Sequence, residues 1–145
     1  MNYDIAWRLR NEEALYKSFS IKNVFSAEEI SLIKEQALKL PAEQPRIRET
    51  GKTDAEPRVD NKIRVCEIKW MMPSEDTQSI YRKLVDAIQK VNSDIFNLNL
   101  YGLQPLQYTI YNDTDQGFYG PHRDVLSIGN GVMTRKLSFS LQLTD

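Results

Sequence analysis

The stretch LQPLQYTIYNDTDQGFYGPHRD, residues 103–124, decides how this chain is read. In an extended backbone successive side chains alternate faces. Leu106, Tyr108 and Ile110 then share one face, and Gln107, Thr109 and Tyr111 the other. RKLSFSLQLTD, residues 135–145, repeats the pattern, with Leu137, Phe139, Leu141 and Leu143 opposite Ser138, Ser140, Gln142 and Thr144. Two such strands describe an antiparallel sheet that is dry on one face and polar on the other. The polar face is either simply solvated or the lining of a wet pocket. Residues 112–134, between the strands, are rich in Gly, Asn and Asp and read as loop and turn.

That loop holds His122, the only histidine of the chain, two residues before Asp124. In an extended segment the two side chains project to the same side, where an imidazole nitrogen and a carboxylate oxygen could meet one divalent cation. The pair is half of the two-histidine, one-carboxylate arrangement that suits non-haem Fe(II). The same spacing is also that of a loop histidine hydrogen-bonded to its turn.

Working outward, Ser26 and Glu29 form a capping-box signature, and Ile30, Ile33, Ala37 and Leu40 follow at helical spacing up to Pro41. A weak strand signal covers Ser20 to Phe25. Residues 41–61 are polar and carry three prolines, which predicts a loop without regular structure. KIRVCEIKW, residues 62–70, reads as a strand. Pro73-Ser74 ends it, and a second helix follows with Ile80, Leu84, Ala87, Ile88 and Val91 on its buried stripe. The length of 145 residues suits one domain, and there are no internal repeats. A formal net charge of −1 gives no electrostatic case for nucleic acid or an anionic membrane as partner. The single cysteine, Cys66, excludes an internal disulfide framework. With no apolar leader or membrane-length segment, a cytoplasmic location is expected.

Four words in order carry a resemblance: IRVCEIKW, VNSDIFNLNLYG, LQYTIYNDTDQGFYGPHRD and RKLSFSLQLTD, between residues 61 and 145. Together they resemble the prolyl 4-hydroxylase-like branch of the 2-oxoglutarate and Fe(II)-dependent dioxygenases. The resemblance implies a mainly β member of the α+β class, a double-stranded β-helix (jelly-roll or cupin-like) with two supporting N-terminal helices. Residues 1–60 would be the N-terminal helix and loop, and 61–145 the first half of the β-helix core. It implies Fe(II), 2-oxoglutarate and O2, with ascorbate compatible, and hydroxylation of a protein side chain of prolyl type or of a small molecule, releasing succinate and CO2. By the same resemblance His122 and Asp124 are metal ligands, and Tyr111 and Gln142 bind the co-substrate. Tyr119 and Arg135 lie on the substrate side.

The family pattern continues with a Gly-Gly turn, a distal histidine and a basic residue for the far carboxylate of 2-oxoglutarate, none of which follows before Asp145. The sequence therefore predicts a barrel incomplete at its C-terminal side and a 145-residue chain with little or no turnover. Two other readings stay open: a non-catalytic half-barrel that binds a protein partner, and a metal site completed by Asp113 or Asp115.

Overall fold

Ser26 starts the first helix as the sequence predicts. The computed structural model describes residues 20–47, 57–122, 127–128 and 133–144. Helix α1 spans Ala27–Leu38. The Ser26 hydroxyl accepts from the Glu29 backbone N–H, and the Glu29 carboxylate accepts from the Ser26 N–H at 2.7 Å, so two of the helix's orphan donors are satisfied. The segment before it carries no strand: Asn23 takes a left-handed conformation with φ 60°, which interrupts an extended run.

The predicted strand at 62–70 forms as β1 (Arg64–Val65) and β2 (Glu67–Met71), separated only by Cys66. β2 pairs antiparallel with β3 (Leu106–Ile110), from Met71 opposite Leu106 to Glu67 opposite Ile110. β1 pairs antiparallel with β4 (Phe118–Tyr119), Val65 opposite Phe118 and Arg64 opposite Tyr119. Residues 64–71 are thus one edge of a ladder whose other edge is 106–119, interrupted by an excursion at 111–117. The excursion closes tightly: the Gly117 N–H donates to the Asn112 carbonyl at 2.8 Å. A Cβ on Gly117 would sit 3.0 Å from the Asn112 nitrogen and from the Tyr111 Cα, so a side chain there would have to push the neck open by a few tenths of an ångström.

The segment at 41–61 is more ordered than its composition predicts. Glu43 and Ile68 exchange backbone hydrogen bonds of 2.8 and 3.1 Å, and Ile47 pairs with Arg58. In an antiparallel strand alternate residues bond to opposite neighbours. Ile68 uses its backbone toward Glu43, which places β2 between two neighbours there. Residues 48–56, the middle of that segment, lie outside the described residues.

Helix α2 spans Gln78–Val91 and runs into a π-helical turn, Asn92–Phe96. It starts later than Pro73-Ser74 suggests, because Thr77 first closes a turn, accepting from the Ser74 N–H at 2.9 Å and donating to the Met72 carbonyl at 2.9 Å. The core joins Phe25, Ile33 and Ala37 to Met71 of β2 and to Ile80 and Leu84 of α2. Leu106, Tyr108, Leu141 and Leu143 pack against it from the sheet side. The dry face of β3 is therefore the one its alternation marked. Removing these side chains from water is the main favourable term holding helices to sheet.

RKLSFSLQLTD keeps its alternation in burial only in part. Leu137, Leu141 and Leu143 are half-buried, but Phe139, expected on the same face, is 41% exposed, and residues 135–144 carry no strand. A ladder needs a neighbouring backbone, and among the described residues none is supplied to them. A short antiparallel pair, β5 (Ser127–Ile128) with β6 (Met133–Thr134), lies in the segment predicted to be all loop. The described residues form a small α+β fold of two helices and separate two-stranded antiparallel pairs. Helical residues outnumber strand residues among them, and they show no rolled double-stranded β-helix.

Candidate functional site

The face of the ladder turned away from the core gathers the polar residues. Cross-strand partners share a face, so Ile68 and Trp70 lie with Thr109 and Gln107, and Arg64 lies with Tyr119. Arg64 is the centre of this face. Its Nη2 donates to Gln107 Oε1 at 2.6 Å and to Thr109 Oγ1 at 3.4 Å, and its Nε donates to Cys66 Sγ at 3.0 Å. The guanidinium carbon sits 4.4 Å from the centre of the Tyr119 ring, a cation–π contact.

Tyr119 carries the next residue outward. Its ring stacks on His122 with centroids 3.7 Å apart and planes 16° from parallel. The His122 Nδ1 lies 2.9 Å from the Gly120 carbonyl oxygen. A carbonyl only accepts, so in this contact Nδ1 carries the proton, and in the neutral ring Nε2 carries the lone pair. Gly120 is fixed in turn, since its N–H donates to the Ile63 carbonyl at 2.8 Å. The β1–β4 pair therefore sets both the position and the tautomer of His122.

Tyr111 leaves the end of β3 on the same face, about half exposed. Partial burial pushes its hydroxyl pKa up, and the Arg64 charge opposes that rise. Three residues expected in or near one site, His122, Tyr119 and Tyr111, thus converge around Arg64. Asp124 lies outside the described residues. Gln142 is exposed between Leu141 and Leu143, which pack on the core, and it is not among the residues Arg64 collects. Arg135 donates through Nε to Gln104 Oε1 at 2.7 Å, next to the end of the ladder where β3 begins. Tyr119 lies at the opposite end. Asp113 and Asp115 are exposed on the excursion. A polar cleft at its foot is lined by Gln44, Cys66, Asn112, Asp115 and Gly117.

Among the described residues no three His, Cys, Asp or Glu side chains lie close enough together to hold a metal ion. For the iron that the sequence resemblance implies, the test falls on His122. A ligating histidine usually donates its other N–H to a carbonyl or carboxylate, and the Nδ1 contact with Gly120 has that form. On that residue the arrangement fits.

Sequence reasoning missed Arg64 and Gln107. The available signal was parity: Arg64, Cys66 and Ile68 fall on one face of KIRVCEIKW, so a cation stands among apolar and weakly polar residues. A wider hollow beside the first turns of α2 is lined by Ser74, Glu75, Gln78, Tyr81, Arg82 and Asp86. Among the described residues no helix is long and apolar enough to cross a membrane. No family model, curated protein or solved structure matches the chain.

Proposed function

We propose that the chain is an Fe(II)- and 2-oxoglutarate-dependent dioxygenase domain of the prolyl 4-hydroxylase-like type, acting on a protein side chain or a small molecule. The observation that supports this best is the setting of His122: a tautomer set by the Gly120 carbonyl, a ring stacked on Tyr119, and a polar face beside it. In this reading the ladder of 64–71 with 106–119 is one part of a double-stranded β-helix. His122 and Asp124 would hold the metal, and with one histidine in 145 residues a second imidazole ligand would have to come from outside them. Bound iron with its co-substrate would supply the oxidising power to hydroxylate a C–H bond, with succinate and CO2 released.

The remaining roles belong to this chain's own groups. Gly120 orients the imidazole by accepting from Nδ1. Tyr119 restricts the rotation of the imidazole by stacking. Tyr111 offers a hydroxyl at the rim of the polar face for an oxygen of the co-substrate. Gln142 is proposed as a second polar contact to that co-substrate, and Arg135 as a substrate-side residue.

Cobalt(II) titration of the purified 145-residue protein tests the reading without requiring turnover. Weak but saturable absorption bands are expected, lost in both His122→Ala and Asp124→Ala. Bands unchanged in either variant would remove that residue from the ligand set. Succinate formation should be little or none in this chain and should appear when a histidine-bearing C-terminal segment is supplied.

A further inference from the structure

Residues 135–144 combine a strand-like pattern with the lack of a ladder. In an extended backbone Leu137, Phe139, Leu141 and Leu143 share one face. Leu141 and Leu143 pack against the core, and Leu137 is half-buried. Phe139, in the middle of that face, is 41% exposed. Among the described residues no strand or bridge pairs with this segment. An unpaired alternating segment with an exposed aromatic at its centre is a template for another strand.

The sequence itself says which strand fits. Leu137-Ser138-Phe139-Ser140-Leu141 reads the same in both directions. Antiparallel pairing of two copies about Phe139 sets Leu137 opposite Leu141, Ser138 opposite Ser140, and the two phenylalanines opposite each other. Arg135 then faces Leu143 and Lys136 faces Gln142, so no like charges meet. A two-fold contact needs a surface that complements itself, and a palindromic strand supplies one. Residues 137–141 carry no ionisable group, so the centre offers no charged anchor to a different partner. A formal net charge of −1 sets little long-range repulsion between copies.

We propose that residues 135–144 pair with the same residues of a second copy, antiparallel and centred on Phe139, joining two chains in a two-fold dimer. The contact uses neither proposed iron ligand and stands whether or not the chain binds metal.

Sedimentation velocity of the 145-residue protein over a concentration series tests this. The mass should rise from 16.9 kDa to twice that value. Half-saturation is expected at roughly 1–100 µM, the range of a small contact. Phe139→Lys sets two ammonium groups opposite each other and should weaken the dimer tenfold or more. Phe139 is not part of the core, so the variant's circular dichroism should match the parent's. Cross-linking reads the register without that variant. In a Cys66→Ser background, which keeps an acceptor for Arg64, Phe139→Cys places two thiols opposite each other, with Cβ atoms about 5 Å apart and within reach of a disulfide. Mild oxidation should then link most of the protein into dimers. Thr144→Cys in the same background sets the thiols about 30 Å apart along the pair and should link little. A monomer throughout the series would overturn the proposal, as it would if the chain's own residues cover the segment. So would open oligomers beyond the dimer, a dimer that a folded Phe139→Lys variant keeps at full strength, or equal cross-linking from the two positions.

Discussion

Replacing Tyr81 with phenylalanine should loosen the ladder at the end where α2 holds it. The Tyr81 hydroxyl donates to the Met71 carbonyl at 2.7 Å and accepts from the Leu106 N–H at 3.0 Å. Met71 and Leu106 are the terminal pair of β2 and β3, so one oxygen ties both strands to the helix. Tyr81 and Met71 are both buried, at 9% and 2% exposure, and water does not easily replace the lost partner. A typical hydrogen bond contributes about 1 kcal/mol net, and an orphaned buried group costs about 1–3 kcal/mol. With two backbone groups affected, and some relief from no longer burying a hydroxyl, Tyr81→Phe should destabilise by about 2 kcal/mol. Urea denaturation should show a lower midpoint with an unchanged slope. Hydrogen exchange at the Leu106 amide should accelerate more than at Thr109. The effect also carries a pH signature. Burial raises the Tyr81 pKa above its ordinary value of 10.0, against a smaller opposing effect of the Leu106 N–H. A raised folded-state pKa gives stability that is complete below the unfolded value and lost as pH climbs through the folded one. The gap between the parent and Tyr81→Phe should therefore narrow above about pH 10. A loss under about 0.5 kcal/mol with no change in Leu106 exchange would refute the assignment, because a deletion costing so little had no buried partners to strand.

Four further outcomes follow from the same structure. Ser26→Ala should cost about 1 kcal/mol in urea midpoint experiments, since it removes the acceptor for the Glu29 N–H. Lys69→Met should cost about 1–2 kcal/mol, because Lys69 is buried and its Nζ donates to the Leu38 and Leu40 carbonyls at the end of α1. Lys39→Met, which loses only the exposed pair with Glu35, should cost no more than about 0.5 kcal/mol in the same assay. The Lys83 ammonium beside Glu29, helped by the Ser26 N–H, holds that carboxyl below its ordinary value of 4.5. Its contribution is present above that value and lost as pH falls through the lowered one. Lys83→Met should flatten the acid limb of the stability curve measured by thermal melts.

What could be read in advance divides by the distance over which each signal acts. The start of α1 was legible because a capping box spans only Ser26 to Glu29 and is complete in itself. The dry face of β3 was legible because alternation at Leu106, Tyr108 and Ile110 reports burial directly. The same alternation predicted burial correctly at Leu137, Leu141 and Leu143 but not at exposed Phe139, and it predicted a ladder that the described residues do not form, since pairing depends on a neighbour the pattern does not encode. The bridge at Glu43 was hidden for the matching reason: a proline-rich polar segment can still lend one residue's backbone to a strand. Of the candidate site, Tyr111, Tyr119 and His122 were nominated through short words in one stretch. Arg64 was not, because its partners Gln107 and Thr109 are 43 and 45 residues away and only the fold assembles them.

The pinched neck at Gly117 has a consequence for how this architecture can diversify. Tyr111 opens the excursion directly after β3, and Tyr119 follows it within β4, paired with Arg64. The hydrogen bond from the Gly117 N–H to the Asn112 carbonyl closes the base, so the apex around Thr114 hangs from a completed joint. Extra residues spliced in at that apex would lengthen an appendage and leave the aromatic pair where it is. Evolution, or a protein engineer, could vary the apex length while the Arg64 face kept its shape.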